Sequence, residues 1–290
     1  MFPNSGYRMM QGYLKGRGIR VQEHRLKQSM LRTDPQGLLE RTLCLHTVRR
    51  RVYNVPAPNC LWHIDGNHKL IRWRIVIHGA IDGFSRLVVY LQASANNRAD
   101  TVYKHFWQAT QKYGIPSRVR SGKGGENRDV ASFMISTRGM NRSSHIAGRS
   151  VHNQRSLESE GILSPDNDLH IFALHWVFLP RLQQHLDSFV EGWNNHPLRT
   201  ERNQSPQQLW HTNSNSPASP DPPQVDELYG VDWRGPPGDR DLALVIPEVQ
   251  LSRVLSQEEL SRLPQQNSTN DDYGVASYIQ ALGLLTNWFG

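Results

Sequence analysis

A chain of 290 residues has room for one large domain or two ordinary ones, and an apolar fraction of 37% allows a core in only part of it. The formal charge of +7 and a pI of about 9.6 point to an anionic partner. Two cysteines, Cys44 and Cys60, exclude a disulfide framework, and their spacing to His24 and His46 does not fit a zinc site. With no signal-type segment and no apolar run of membrane-spanning length, the expectation is a soluble, intracellular protein.

The charge is segregated. Residues 1–58 hold 11 Lys+Arg against 3 Asp+Glu, and residues 59–211 hold 18 against 12. Residues 212–290 hold 4 against 11, so the basic surface belongs to the first two thirds and the tail is acidic.

In residues 5–33 the pattern predicts two short helices, Tyr7–Lys15 and Gln22–Leu31, separated at Gly16, Gly18 and Ile19. Tyr13 and Leu14 face inward on the first, Leu26 and Met30 on the second. A basic second helix after a glycine-bearing turn matches a helix-turn-helix-like unit, with Arg20, Arg25, Lys27 and Gln28 as nucleic-acid contacts. A solvated basic hairpin packed on the next domain is the other reading. Residues 34–58 are a basic connector with a turn at Asp34-Pro35, a short helix over Leu38–Leu45 and the cluster Arg49-Arg50-Arg51. That cluster reads as a solvated face, a phosphate contact or part of a nuclear address. Pro56-Ala57-Pro58 marks the domain boundary.

Trp62–Leu70 reads as a strand carrying one carboxylate, Asp65. Arg72–Ile81 follows as a second strand ending at the Asp82-Gly83 turn, and Arg86–Gln92 completes an antiparallel meander. If buried, Asp65 must be paired, hydrogen-bonded or metal-bound; taken alone, a structural Asp is the commoner case. Val102, Phe106, Ala109 and Tyr113 form the inward stripe of a helix over Asn97–Tyr113, stopped by Gly114 and Pro116. Ser117–Ser121 returns as a strand, giving the order β-β-β-α-β. The loop Gly122–Asn127 is glycine-rich but lacks the Lys-Ser/Thr ending of a nucleotide-binding P-loop, so no nucleotide is expected.

Residues 141–155 are polar and cationic and read as a flexible loop contacting nucleic-acid backbone, or as a merely solvated one. A long helix is expected over Asp168–Asn194, interrupted at Pro180, and another over Ser205–Trp210 with proline at its first position. Beyond residue 211 lies a Pro/Ser-rich linker. The acidic tail, 212–290, is expected to be largely disordered, with helical candidates near Ser256–Leu263 and Ala276–Trp288.

The stretches WHIDGNHKL, HGAIDGFSRLVVYL, YGIPSRVRSGKGGEN, HIAGRSVHNQR and FVEGWNNHPLRTERNQSPQQLW closely resemble the integrase core domain, in particular transposon-derived, integrase-like proteins of vertebrates and fungi. The resemblance covers roughly residues 52–211, and several separate motifs agree in order. It implies an α/β, ribonuclease H-like core of mixed sheet (59–211) preceded by the small helical unit, and DNA integration by a D,D,E triad. In such a triad three carboxylates hold two divalent ions, Mg or Mn, for an in-line phosphoryl transfer. Carried over position by position, the first acid and metal ligand is Asp65. The second-acid position is Gly122. The third acid would follow His152-Asn153-Gln154-Arg155, where Ser156-Leu157-Glu158 stands as if a stretch of helix had been deleted. Glu126 and Glu158 are weak substitutes, Asp129 faces away on the next helix, and Asp82 has a structural place at a strand-end turn. Within the polar, cationic stretch 141–155, Arg149, His152, Asn153, Gln154 and Arg155 are the candidate nucleic-acid contacts.

One carboxylate does not hold two divalent ions in fixed geometry. The leading expectation is therefore a transposon-derived, DNA-binding protein of integrase ancestry with catalysis lost, needing no metal. Self-association and a nuclear location go with it; no membrane or nucleotide partner is expected. An active Mg-dependent integrase or transposase and a non-functional relic with an unstable core stay open beside it.

Overall fold

In the computed structural model, residues 5–37, 55–140, 142–148, 166–214, 246–265 and 274–289 are described. Alternating side chains build three antiparallel strands: β1 (Leu61–Asn67), β2 (Val76–Asp82) and β3 (Val88–Ser94). Helix α3 (Ala99–Tyr113) crosses back to β4 (Arg118–Gly122), which lies parallel to β1; α1 and α2 precede the sheet and are given below. After α4 (Arg128–Arg138), strand β5 (His145–Gly148) adds in parallel beside β4. The sheet order is β3-β2-β1-β4-β5, so the chain has the mixed sheet of a ribonuclease H-like core, in the β-β-β-α-β order expected from sequence.

One face of the sheet is fully covered. Trp62, Ile64, Ala80, Tyr90 and Val119 meet Val102, Phe106 and Ala109 of α3 and Val130 and Met134 of α4. These are the positions of the predicted inward stripe, and Trp62 meets Phe106 edge-on with centroids 5.8 Å apart. The opposite face is only half covered on β2, where Ile77, Gly79 and Ile81 alternate with buried neighbours.

Strand β5 departs from the expected flexible loop. Ile146 is buried with Cys60 and Leu61, and the turn before it is fastened from below. Val119 N donates to Ser144 O at 3.0 Å, and the fully buried Arg118 donates from Nε to Arg142 O at 3.2 Å. Polar composition concealed one apolar anchor and a set of backbone bonds.

Helix α5 (Asp168–Asn195) runs through Pro180 without the expected interruption. Packing on both sides of the proline outweighs the missing hydrogen bond. Its amides also close the edge of the sheet. Gln183 accepts from Ala93 N at 2.9 Å and donates to Leu91 O at 3.0 Å. Asn194, three turns on, accepts from Val88 N at 2.9 Å and donates to Val88 O at 3.0 Å. Helix α6 (Pro206–Ser214) then sends Trp210 into the main core.

The expectation of a largely disordered tail is corrected for residues 246–265 and 274–289. Helices α7 (Gln257–Arg262) and α8 (Val275–Phe289) form at the two candidate positions, and α8 packs on α5. Ala281 and Leu285 are buried against Ala173, Leu174 and Val177, and Trp176 Nε1 donates to Pro264 O at 3.0 Å. The net acidic charge hid an apolar face on α8, and the first half of α5 offers a matching one.

The amino-terminal helices are α1 (Tyr7–Gly16) and α2 (Glu23–Thr33). Helix α1 crosses the end of α5 at glycine: a Cβ at Gly12 would collide with the Gly192 carbonyl, and one at Gly192 with the Tyr13 ring. The pair is thus joined to the core through α1, while α2 keeps only Leu26 buried.

The corner between β2 and β3 is organised by Asp82, which is fully buried. Its Oδ1 accepts from Asn59 N at 2.8 Å, and its Oδ2 accepts from Ser85 N and Ser85 Oγ, both at 2.7 Å. Burial raises the carboxyl pKa, and these donors oppose the rise. Replacing Asp82 by Ala strands three buried donors, so denaturant unfolding should show a loss of about 3 kcal/mol or more. Gly192→Val should leave the core's unfolding cooperative while making α1 and α2 sensitive to proteolysis.

Candidate functional site

Asp65 stands near the carboxyl end of β1 with its side chain exposed, accepting from Gly66 N at 2.9 Å. The premise of a buried acid is thereby corrected: strand position alone did not reveal that the sheet is open here.

The parallel pairing of β1 with β4 sets what stands beside it. Leu61 pairs with Arg118, Trp62 with Val119 and His63 with Arg120. Carried two residues further, the same register puts Gly122 beside Asp65. Gly122 ends β4, and a Cβ there would meet nothing within 4 Å among the described residues. The second-acid position is open backbone with space for a side chain and no carboxylate.

Among the described residues, no substitute fills it. Glu126 lies in the 3₁₀ turn Gly125–Asn127, where its carboxylate folds back over Gly124 and accepts from Asn127 Nδ2 at 3.1 Å. Asp129 opens α4 and pairs with its neighbour Arg128 at 3.0 Å. Asp82 is committed to the β2–β3 corner. Glu158, Arg149, His152, Asn153, Gln154 and Arg155 lie outside the described residues. Among the described residues, no group of three or more His, Cys, Asp or Glu side chains is arranged to hold a metal ion. Among the described residues, the donor set around Asp65 does not fit a pair of divalent ions.

Sequence reasoning missed the neighbours on Asp65's own face. His63, two residues before it, shares that face and lies opposite Arg120. Burial, then the Arg120 charge, lowers the His63 pKa to about 4, so the ring is neutral at pH 7. Strand alternation carried this signal, but only the β1–β4 register names the partner. Just beyond the strand ends, Lys69 and Lys123 are exposed at the same edge as Asp65. Beside the Asp65 carboxylate, the Arg120 guanidinium and the two ammonium groups bring positive charge to this edge. Such an edge can hold a phosphate oxygen without an intervening metal.

On the helical pair, Arg20, Arg25, Lys27 and Gln28 are all exposed. Lys27 is partly engaged, pairing with Glu23 at 2.5 Å and lying 4.4 Å from the centroid of the Tyr7 ring. Arg25 and Gln28, one turn apart, share a face of α2.

Gly122→Asp should fold with a stability change within about 0.5 kcal/mol, since the new Cβ meets open space. Beside Asp65 it forms a two-carboxylate oxygen site. Mn²⁺ at ten times its dissociation constant should then raise stability by about 1.4 kcal/mol in a thermal melt, with no such rise in the parent.

Three comparisons bear on this geometry. The sequence model of the integrase core domain matches residues 52–157 and 155–219. No curated protein matches the chain. Among solved structures, it is similar to the magnesium-bound catalytic core domain of HTLV-2 integrase in its trimeric form, at 14% identity, over 55% of this chain and 100% of that one, with a TM-score of 0.36. The dimeric form gives 19% identity over 53% of this chain and 98% of that one, also at 0.36. A simian T-cell lymphotropic virus intasome in complex with the PP2A regulatory subunit B56 gamma gives 13% identity over 71% and 72%, again at 0.36. The family match spans more than half of the sequence, and its two segments meet at residues 155–157, where the resemblance had placed a deletion. On the family match and the sheet order, this chain belongs to the integrase core domain family.

Proposed function

We propose that this chain is a DNA-binding protein of integrase ancestry that has lost phosphoryl-transfer catalysis and holds DNA without divalent ions. The observation that carries the reading is the open backbone at Gly122, beside Asp65 in the β1–β4 register. Two acids on neighbouring strands are the least that would fix a catalytic ion there. With only one, developing charge on a scissile phosphate has no counter-ion, and a rate loss of many orders of magnitude follows. Asp65 remains as a single negative group in a basic surround.

DNA binding rests on separate features. Charge is concentrated in the first two thirds of the chain. Helix α2 offers Arg25 and Gln28 on an exposed face, and α1 fixes its orientation on α5. Arg and Gln on a projecting helix suit base edges in a major groove, while Lys69 and Lys123 suit phosphate.

Fluorescence anisotropy of a labelled duplex tests this. Binding should fall linearly on a log–log plot against salt and be unchanged by EDTA. Arg25→Ala with Gln28→Ala should weaken it by about tenfold. Mg-dependent cutting or joining of DNA that Asp65→Ala abolishes would overturn the loss of catalysis. A failure to bind duplex even at low salt, by a chain that unfolds cooperatively, would favour the relic.

A further inference from the structure

On the covered face of the sheet, away from Asp65, a group of polar side chains gathers where β3 turns into α3. His78 of β2 is buried, and its Nε2 meets Asn96 O at 3.2 Å. His105 of α3 meets Ser94 Oγ through Nε2 at 3.0 Å. The two rings lie 6.0 Å apart by centroid, and Tyr90 lies 6.4 Å from His105. His68 leans on Gly66, the register partner of His78, and its charge acts on His78. Four buried polar atoms in this group, His68 Nε2, Tyr90 OH, Asn97 Oδ1 and His105 Nδ1, have no hydrogen-bond partner among the described residues. So dense a cluster of unmet polar atoms marks a weakly held part of an otherwise tightly packed sheet.

We propose that His78 and His105 form a proton-operated latch on the Ser94–Arg98 corner. With both rings neutral, they hold the corner to the sheet through Asn96 O and Ser94 Oγ. With both rings charged, they repel each other across a buried gap and the corner opens. The corner ends at Arg98, which caps α3 and pairs with Glu248 of the carboxyl-terminal segment at 2.8 Å. Opening therefore also loosens one tie between that segment and the core.

The groups facing the latch favour this behaviour. Burial lowers the His78 pKa to about 4; the Asn96 carbonyl opposes this, and the charges of His105 and His68 add to it. His105 is lowered by burial first and then by Lys104 on its own helix. Tyr90, facing from β3, is raised by burial and stays a neutral phenol. Asp100, in the first turn of α3, pairs with Arg98. A histidine whose folded pKa is depressed contributes its full share of stability above the unfolded value of about 6.5. That share is lost progressively as pH falls from there toward 4.

Amide hydrogen exchange on the full chain tests the latch. Between pH 7.5 and 5.5, corrected for intrinsic rates, protection at Ser94–Thr101 should fall by about tenfold through His78, with a further fall through His105, while protection in β1 holds. His105→Gln should remove part of the effect. Equal pH dependence in parent and variant, or equal loss in β1 and the corner, would overturn the proposal. If His105→Gln does not fold, imidazole NMR titration of the parent decides: His78 titrating well below 6 supports the latch, and titration near 6.5 refutes it. Zinc raising corner protection at pH 7.5 would also overturn it, by showing that the rings converge on a metal.

Discussion

Asp82 holds together the part of the molecule on which every statement about Asp65 depends. It gathers the backbone at Asn59, just before β1, and the turn at Ser85, just before β3. Asn59 in turn donates from Nδ2 to Tyr113 O at the end of α3 and accepts from Trp62 Nε1 in β1. A buried carboxylate bound by two backbone N–H groups and a hydroxyl is a rigid joint, because no donor can leave without stranding another polar group. The joint fixes where β1 begins, and with it the residue of β4 that reaches Asp65. A register slip of one residue would turn Asp65 into the covered face.

Two acids in this fold have therefore followed different rules. Asp82 is indispensable to folding and closed to solvent. Asp65 is exposed and accepts from Gly66 N. Arg120, Lys69 and Lys123 give the surface around it a positive sign without any change in the strands.

Much of the core was legible in the sequence because alternation and the 3.6-residue stripe are direct images of burial. The strands at Asp65, the helix ending at Gly114 and the return at Arg118 all lie where those patterns put them. The β1–β4 register was not legible, since parallel strands pair through a distant crossover that leaves no local trace. Hence the Asp65–Gly122 relation came from resemblance, and the His63–Arg120 relation was missed. The tail misled for a different reason: net acidity is an average, and the apolar face of α8 around Tyr278, Ala281 and Leu285 is a periodic feature that an average removes. Pro180 was read as a break because helix propensity is local, whereas the helix around it is held by neighbours far away in sequence.

The amides of Gln183 and Asn194 have a consequence for assembly. A sheet's outer strand ordinarily advertises its unused backbone groups to other chains. On β3 those groups are spoken for near both ends, at Val88 and at Leu91–Ala93, by side chains of one rigid helix. A second copy cannot extend the sheet at β3 without first levering α5 away and exposing the apolar surface beneath it. Partners of this protein are thus steered from strand addition on that side toward the surfaces of its helices.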